Sequence, residues 1–184
     1  MSTALADAPE RTPQRQPRRR RFLIGVVTAL VLVLAFLAWS WRTSPDTFGG
    51  YGNKIGAPLD VGRPLHAGIT WESLDIEPHT VTLHNASARI VRNTADAEVS
   101  FSLCRAEKEP IGTASGRLER WCSEVLPIDD IEMTLNAEPR DSVLMTIRPT
   151  KPGVVRVRGA DLTYTDGWQR GAEHIGSLVV VRAR

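Results

Sequence analysis

The chain has 184 residues, 42% apolar and 24% charged, with 14 Gly, 12 Pro and two Cys. Those proportions exclude a wholly disordered chain, a collagen-like repeat and a disulfide-dense scaffold. The formal charge of +2 is unevenly spread: residues 1–21 carry six Arg against Asp7 and Glu10, whereas residues 43–184 carry 16 Lys and Arg against 19 Asp and Glu, a net −3. Such a body argues against nucleic acid as a partner, because it has no net field to draw phosphates.

Residues 1–21 (MSTALADAPERTPQRQPRRRR) lack apolar periodicity and are rich in Pro, Gln and Arg, which predicts a disordered basic tail. Residues 22–41 (FLIGVVTALVLVLAFLAWSW) hold 20 residues without a charge, 12 of them Leu, Ile, Val or Phe. At about 1.5 Å per residue this run makes a helix of about 30 Å, the thickness of a bilayer's hydrocarbon core. Insertion gains on the order of 4–7 kcal/mol with no charge to oppose it. Arg18, Arg19, Arg20 and Arg21 abut one end, with Arg11 and Arg15 behind them, while only Arg42 and Lys54 closely follow the other. The positive-inside rule then sets the N-terminus in the cytoplasm and residues 42–184 outside, with Trp39 and Trp41 at the outer interface. A cleaved signal is the competing expectation, since Ala38-Trp39-Ser40 fits a small-x-small site and Arg19–Leu23 has a twin-arginine look. The apolar run is longer than most signal sequences, so an uncleaved signal-anchor is expected.

Residues 42–60 carry Gly49, Gly50, Gly52, Gly56, Pro45 and Pro58 and read as a flexible linker. From about Val61 to Arg184 strand patterning dominates. Val99, Phe101 and Leu103 alternate with polar residues, as do Val143, Met145 and Ile147, and Val155 and Val157 alternate with Arg156 and Arg158. Period two with β-branched residues marks half-buried strands. Shorter strands are expected at Ile69–Trp71, Val81–Leu83, Ala88–Val91, Ile131–Leu135 and Leu178–Arg182. A phase shift around Gly159-Ala160 predicts a β-bulge. Roughly seven to nine short strands predict an all-β, antiparallel, immunoglobulin-like sandwich as one extracytoplasmic domain.

Cys104 and Cys122 would lie on the oxidising side of the membrane, where a disulfide persists. Cys104 is out of phase with Phe101 and Leu103, so the bond should lie off the core face and staple the loop Arg105–Trp121. No metal is expected from two Cys without clustered His.

Chemistry-bearing motifs are sparse. His66, His79, His84 and His174 are scattered. Gly112–Gly116 (GTASG) is one residue out of register with a nucleophile elbow and reads as a turn. Asp129, Asp130 and Glu132 are a dense acidic group without the spacing of a twelve-residue calcium loop. Asn85-Ala86-Ser87 is a glycosylation sequon. No triad, P-loop or dinucleotide signature is present, and no cofactor is expected.

The C-terminal third combines Pro152-Gly153, Val155-Arg156-Val157, Gly159, Leu162-Thr163-Tyr164 and Asp166-Gly167-Trp168-Gln169-Arg170-Gly171 with a valine-rich terminal strand. With the single span and the Cys104/Cys122 pair, it resembles uncharacterised bacterial single-span membrane proteins with immunoglobulin-like outer domains. The resemblance implies location and fold, and carries no activity and no functional residue. From the residues themselves, Trp168, Gln169 and Arg170 at an expected Asp-Gly turn are candidate partner contacts, because aromatic residues and Arg dominate contact hot spots. Tyr164 is expected in the core. The expected function is a non-catalytic interaction module of the cell envelope that binds an envelope protein or polymer. The alternatives are a membrane-anchored hydrolase or carbohydrate binder, and a secreted domain released after Ser40.

Overall fold

The computed structural model describes residues 17–49, 52–70, 77–107, 111–138 and 140–184, with side chains from Phe22 onward. The chain forms two compact units, one ending at Ser40 and one running from Trp41 to Arg184.

The first unit is built on α1 (Pro17–Thr43). It starts on a proline, whose fixed φ suits the first helical position, and takes in Arg18, Arg19, Arg20 and Arg21. The disordered stretch expected over 1–21 is therefore shorter at its C-terminal end. Arginine is a good helix former, and an adjoining apolar helix propagates readily through four of them. Residues 1–16 of that tail, and the side chains of the four arginines, lie outside the described residues. Phe22–Thr43 is long and apolar enough to cross a membrane, and its Leu, Val and Phe side chains are exposed along its length. The Thr28 hydroxyl donates to the Ile24 carbonyl at 2.9 Å, so it is satisfied within the helix.

The second unit has ten strands among the described residues: β1 (Lys54–Leu59), β2 (Leu65–Gly68), β3 (His79–Asn93), β4 (Glu98–Ala106), β5 (Thr113–Ser115), β6 (Cys122–Pro127), β7 (Ile131–Leu135), β8 (Ser142–Arg148), β9 (Gly153–Asp166) and β10 (Gln169–Ala183). One sheet has the order β1-β10-β9-β3-β7 and the other β5-β2-β8-β4-β6. They share one core, to which β3, β9 and β10 contribute Leu83, Val157, Leu162 and Val179, and β4 and β8 contribute Leu103, Val143, Met145 and Ile147. Period two sets this arrangement: Val155 and Val157 are fully buried while Arg156 and Arg158, which alternate with them, face out.

The all-β expectation holds for this unit, with four corrections. The ladders are not all antiparallel, because β1 runs parallel to β10, with Ile55 opposite Val179. A parallel pair needs a long connection, and here almost the whole domain separates the two strands. Val81–Leu83 and Ala88–Val91 belong to one strand, β3, whose register shifts near Ala88. Residues 42–60 are not simply a tether. Lys54–Leu59 forms β1, and Pro45 and Phe48 are buried. The glycines obscured this, since Ile55, Ala57 and Leu59 keep the inward phase and Gly56 needs no side chain on the outer face. The strand expected at Ile69–Trp71 is not formed at Ile69 and Thr70, since β2 ends at Gly68, and Trp71 lies outside the described residues.

The phase shift at Gly159 corresponds to a double irregularity. Against β3, strand β9 carries an extra residue at 158–159. Against β9, strand β10 carries one at Gly176-Ser177. Gly159 has φ +60, and a Cβ there would lie 2.1 Å from the Ile175 carbonyl oxygen, so this position requires glycine.

A disulfide joins Cys104 and Cys122, whose Cα atoms are 5.3 Å apart. It lies in a small satellite cluster with Ile111 and Leu144 rather than in the main core. Cross-linking a loop of this size contributes about 3 kcal/mol by restricting the unfolded chain. The double variant Cys104→Ala/Cys122→Ala should lose about that much in denaturant unfolding. A loss below about 1 kcal/mol would show that the reduced loop is already ordered.

Candidate functional site

The residues expected to carry chemistry do not converge. His66 on β2 is buried between the loop at Gly116 and β8. Its Nδ1 meets Thr146 Oγ1 at 2.8 Å and its Nε2 meets the Gly116 carbonyl at 3.0 Å. A carbonyl only accepts, so Nε2 carries the proton and Nδ1 accepts from the hydroxyl. Burial lowers the His66 pKa below its ordinary 6.5, the Gly116 bond opposes this, and nearby Arg148 lowers it further. The unfolded chain then binds a proton that the native chain refuses as pH falls below about 6.5. Stability should therefore decline as pH is lowered from 7 through that range, and His66→Gln should lose less over the same interval. Equal slopes in the two proteins would contradict this.

His174 instead meets Asp161 at 3.2 Å, and Asp161 is bridged by Arg89 at 2.7 Å. The Arg89 bond, with help from His174, holds the Asp161 carboxyl below the usual carboxylate range, although its partial burial acts the other way. Asp130 meets His84. Among the described residues no group of three His, Cys, Asp or Glu is placed to hold a metal.

One constellation has the order of a catalytic relay. Asp130 Oδ1 lies 2.5 Å from His84 Nδ1, and His84 Nε2 lies 2.6 Å from Thr165 Oγ1. Acyl transfer also needs donors for the oxyanion. Thr165 sits in a central strand, opposite Thr82 on one side and Arg170 on the other. Its backbone amide therefore points into a ladder on either side, and Asp130 is three-quarters exposed. The relay ties β3 to β9 and to the turn before β7.

The candidate partner contacts lie at the β9–β10 hairpin. Trp168 is 79% exposed, Arg170 is exposed, and the Gln169 side chain donates to the Trp41 carbonyl at 2.7 Å. Tyr164 is fully buried. Its hydroxyl donates to Glu173, which also accepts the backbone N–H groups of Thr47 at 2.7 Å and Phe48 at 3.0 Å. Burial first, and then the Glu173 bond, pushes the Tyr164 pKa well above its usual value.

Sequence reasoning missed a basic surface. On the outer face of the first sheet, Lys54 is opposite Leu178, which is opposite Arg158. One row along, Gly56, Val180, Arg156 and Arg92 stand side by side, and Pro58 faces Arg182 in the next. Lys54, Arg156 and Arg182 line a groove of about 480 Å³ whose floor is Leu178, Val180 and Pro58. Elsewhere Arg63, Arg89, Arg105, Arg140 and Lys151 each have a carboxylate partner, whereas Arg42, Arg117, Arg120, Arg148, Arg170 and Arg184 have none among the described residues. Lys54, Arg92, Arg156, Arg158 and Arg182 are all exposed and have no ion-pair partner among the described residues. Arg92 and Arg156 even stand directly opposite one another, an arrangement that destabilises a sheet. The available signal was the phase of Arg156, Arg158 and Arg182 against the buried valines. The register that assembles them with Lys54 is not local.

No known family, curated protein or solved structure matches the chain.

Proposed function

We propose that this is a single-pass membrane protein, N-terminus cytoplasmic, whose extracytoplasmic β domain is a non-catalytic module that holds a phosphate-bearing envelope polymer. The observation that carries this reading is the unpaired basic face on β1, β10 and β9. An uncompensated cation cluster on a domain of net charge −3 costs stability, which binding an anion recovers. Guanidinium groups suit phosphate oxygens because their fork matches them two at a time. A nucleic acid is not the polyanion expected on the outer side of a membrane.

For the domain we propose an immunoglobulin-like sandwich. Support comes from the order β10-β9-β3 in one sheet and β2-β8-β4 in the other, which parallels the G-F-C and B-E-D sets of that fold. Strands β5, β6 and β7 are then an insertion between the fourth and fifth strands of the set. The start of the second unit at Trp41 favours one other reading, release of an intact domain by cleavage after Ser40. The intact mass of the mature protein separates the two.

The functional test uses the full chain in zwitterionic nanodiscs with inorganic polyphosphate as the probe. The wild type should retain polyphosphate, and the variant Lys54→Gln/Arg156→Gln/Arg158→Gln/Arg182→Gln should not. Equal retention by both would contradict the assignment.

A further inference from the structure

Strands β9 and β10 are joined by Gly167-Trp168, between the paired residues Asp166 and Gln169. Trp168 is more exposed than any other large apolar residue described, including those of α1. A lone exposed tryptophan carries nothing by itself; the position of this one does. Three contacts tie the hairpin to residues 41–48 of its own unit. The Gln169 amide donates to the Trp41 carbonyl. Gly171 leaves space that the chain after α1 fills, since a Cβ there would lie 2.5 Å from Pro45 Cδ and 2.9 Å from the Thr43 carbonyl oxygen. Glu173 holds the amides of Thr47 and Phe48. Trp41 and Thr43 belong to the same compact unit as the hairpin, and they are also the last turn of the segment long enough to cross a membrane. Gln169, next to Trp168 in the chain, therefore lies beside Trp41 wherever that residue sits.

We infer that the β9–β10 tip is a second membrane contact, with the Trp168 indole in the headgroup–acyl boundary of the outer leaflet and Arg170 beside the lipid phosphates. The inference rests on Phe22–Thr43 being an uncleaved span. Indole collects at that boundary because its apolar body and its N–H suit the two sides. A guanidinium at the same level meets phosphate oxygens, which accept its hydrogen bonds. The contact leaves the basic face, which begins eight residues along β9 from Asp166, free for its polymer.

Three versions of the full chain, each keeping one tryptophan (Trp41, Trp121 or Trp168) and carrying Phe at the other four tryptophan positions, test this. They are reconstituted into vesicles of phosphatidylcholine and phosphatidylglycerol in equal parts. Quenching by lipids brominated near the headgroup is compared with quenching by lipids brominated near the chain end. Trp168 should be quenched about as strongly as Trp41, with preference for the shallow bromines, and Trp121 should not be quenched. Quenching of Trp41 but not of Trp168 overturns the inference and leaves the span intact. Quenching of neither overturns the span reading, and the inference with it.

Discussion

Replacing Phe48 by Ala should destabilise the outer domain by about 3–5 kcal/mol, the cost of removing a buried aromatic ring and leaving its cavity. Phe48 is 3% exposed and belongs to the main core. Its ring meets Tyr164 edge-on, with centroids 4.9 Å apart and planes at 85°, a geometry favoured by the aromatic quadrupole. Its amide is held by Glu173, so the ring enters the core on a fixed backbone. For a unit of this size the loss corresponds to a fall in Tm of about 10 °C, measurable by thermal unfolding of the full chain in detergent. A change below about 1 kcal/mol would return residues 45–48 to the status of a tether.

That expectation contrasts with the sequence, where Phe48 stands in a Gly- and Pro-rich stretch and has no periodic neighbours. Composition describes the average behaviour of such a stretch, and one aromatic ring with one distant carboxylate overrides it. Glu173 lies 125 positions from Phe48, and no local pattern announces such a pairing. By contrast, the apolar helix, β4, β7, β8 and the buried phase of β9 were legible, because periodicity and burial coincide within each segment. The irregularity at Gly159 was legible too, though only the ladder shows that β10 answers it with an extra residue at Gly176-Ser177. Strands β5 and β6 were not legible: one is three residues long, and the other exposes Ser123, Glu124 and Val125 in succession. The basic face falls between these cases. Each Arg was visible on its strand, whereas the assembly depends on register across β1, β10 and β9.

Neutralising Lys54, Arg156, Arg158 and Arg182 together should weaken polyphosphate binding by about three orders of magnitude, at about 1 kcal/mol per cation near an anionic surface. The fold should tolerate the change, since all four side chains are exposed and exposed substitutions away from packed features cost about 0.5 kcal/mol or less. The Arg92–Arg156 repulsion also disappears, so Tm should stay level or rise. A fall in Tm that matches the loss of binding would instead mark the face as structural.

The most direct measurement is the salt dependence of polyphosphate affinity for the full chain in zwitterionic nanodiscs. Four cations that displace condensed counterions predict a slope of log K against log salt of about −3, and a slope near zero for the four-site variant. Affinity that does not fall with salt, or the same slope in both proteins, would show that the β1–β10–β9 face is not where an anionic polymer is held.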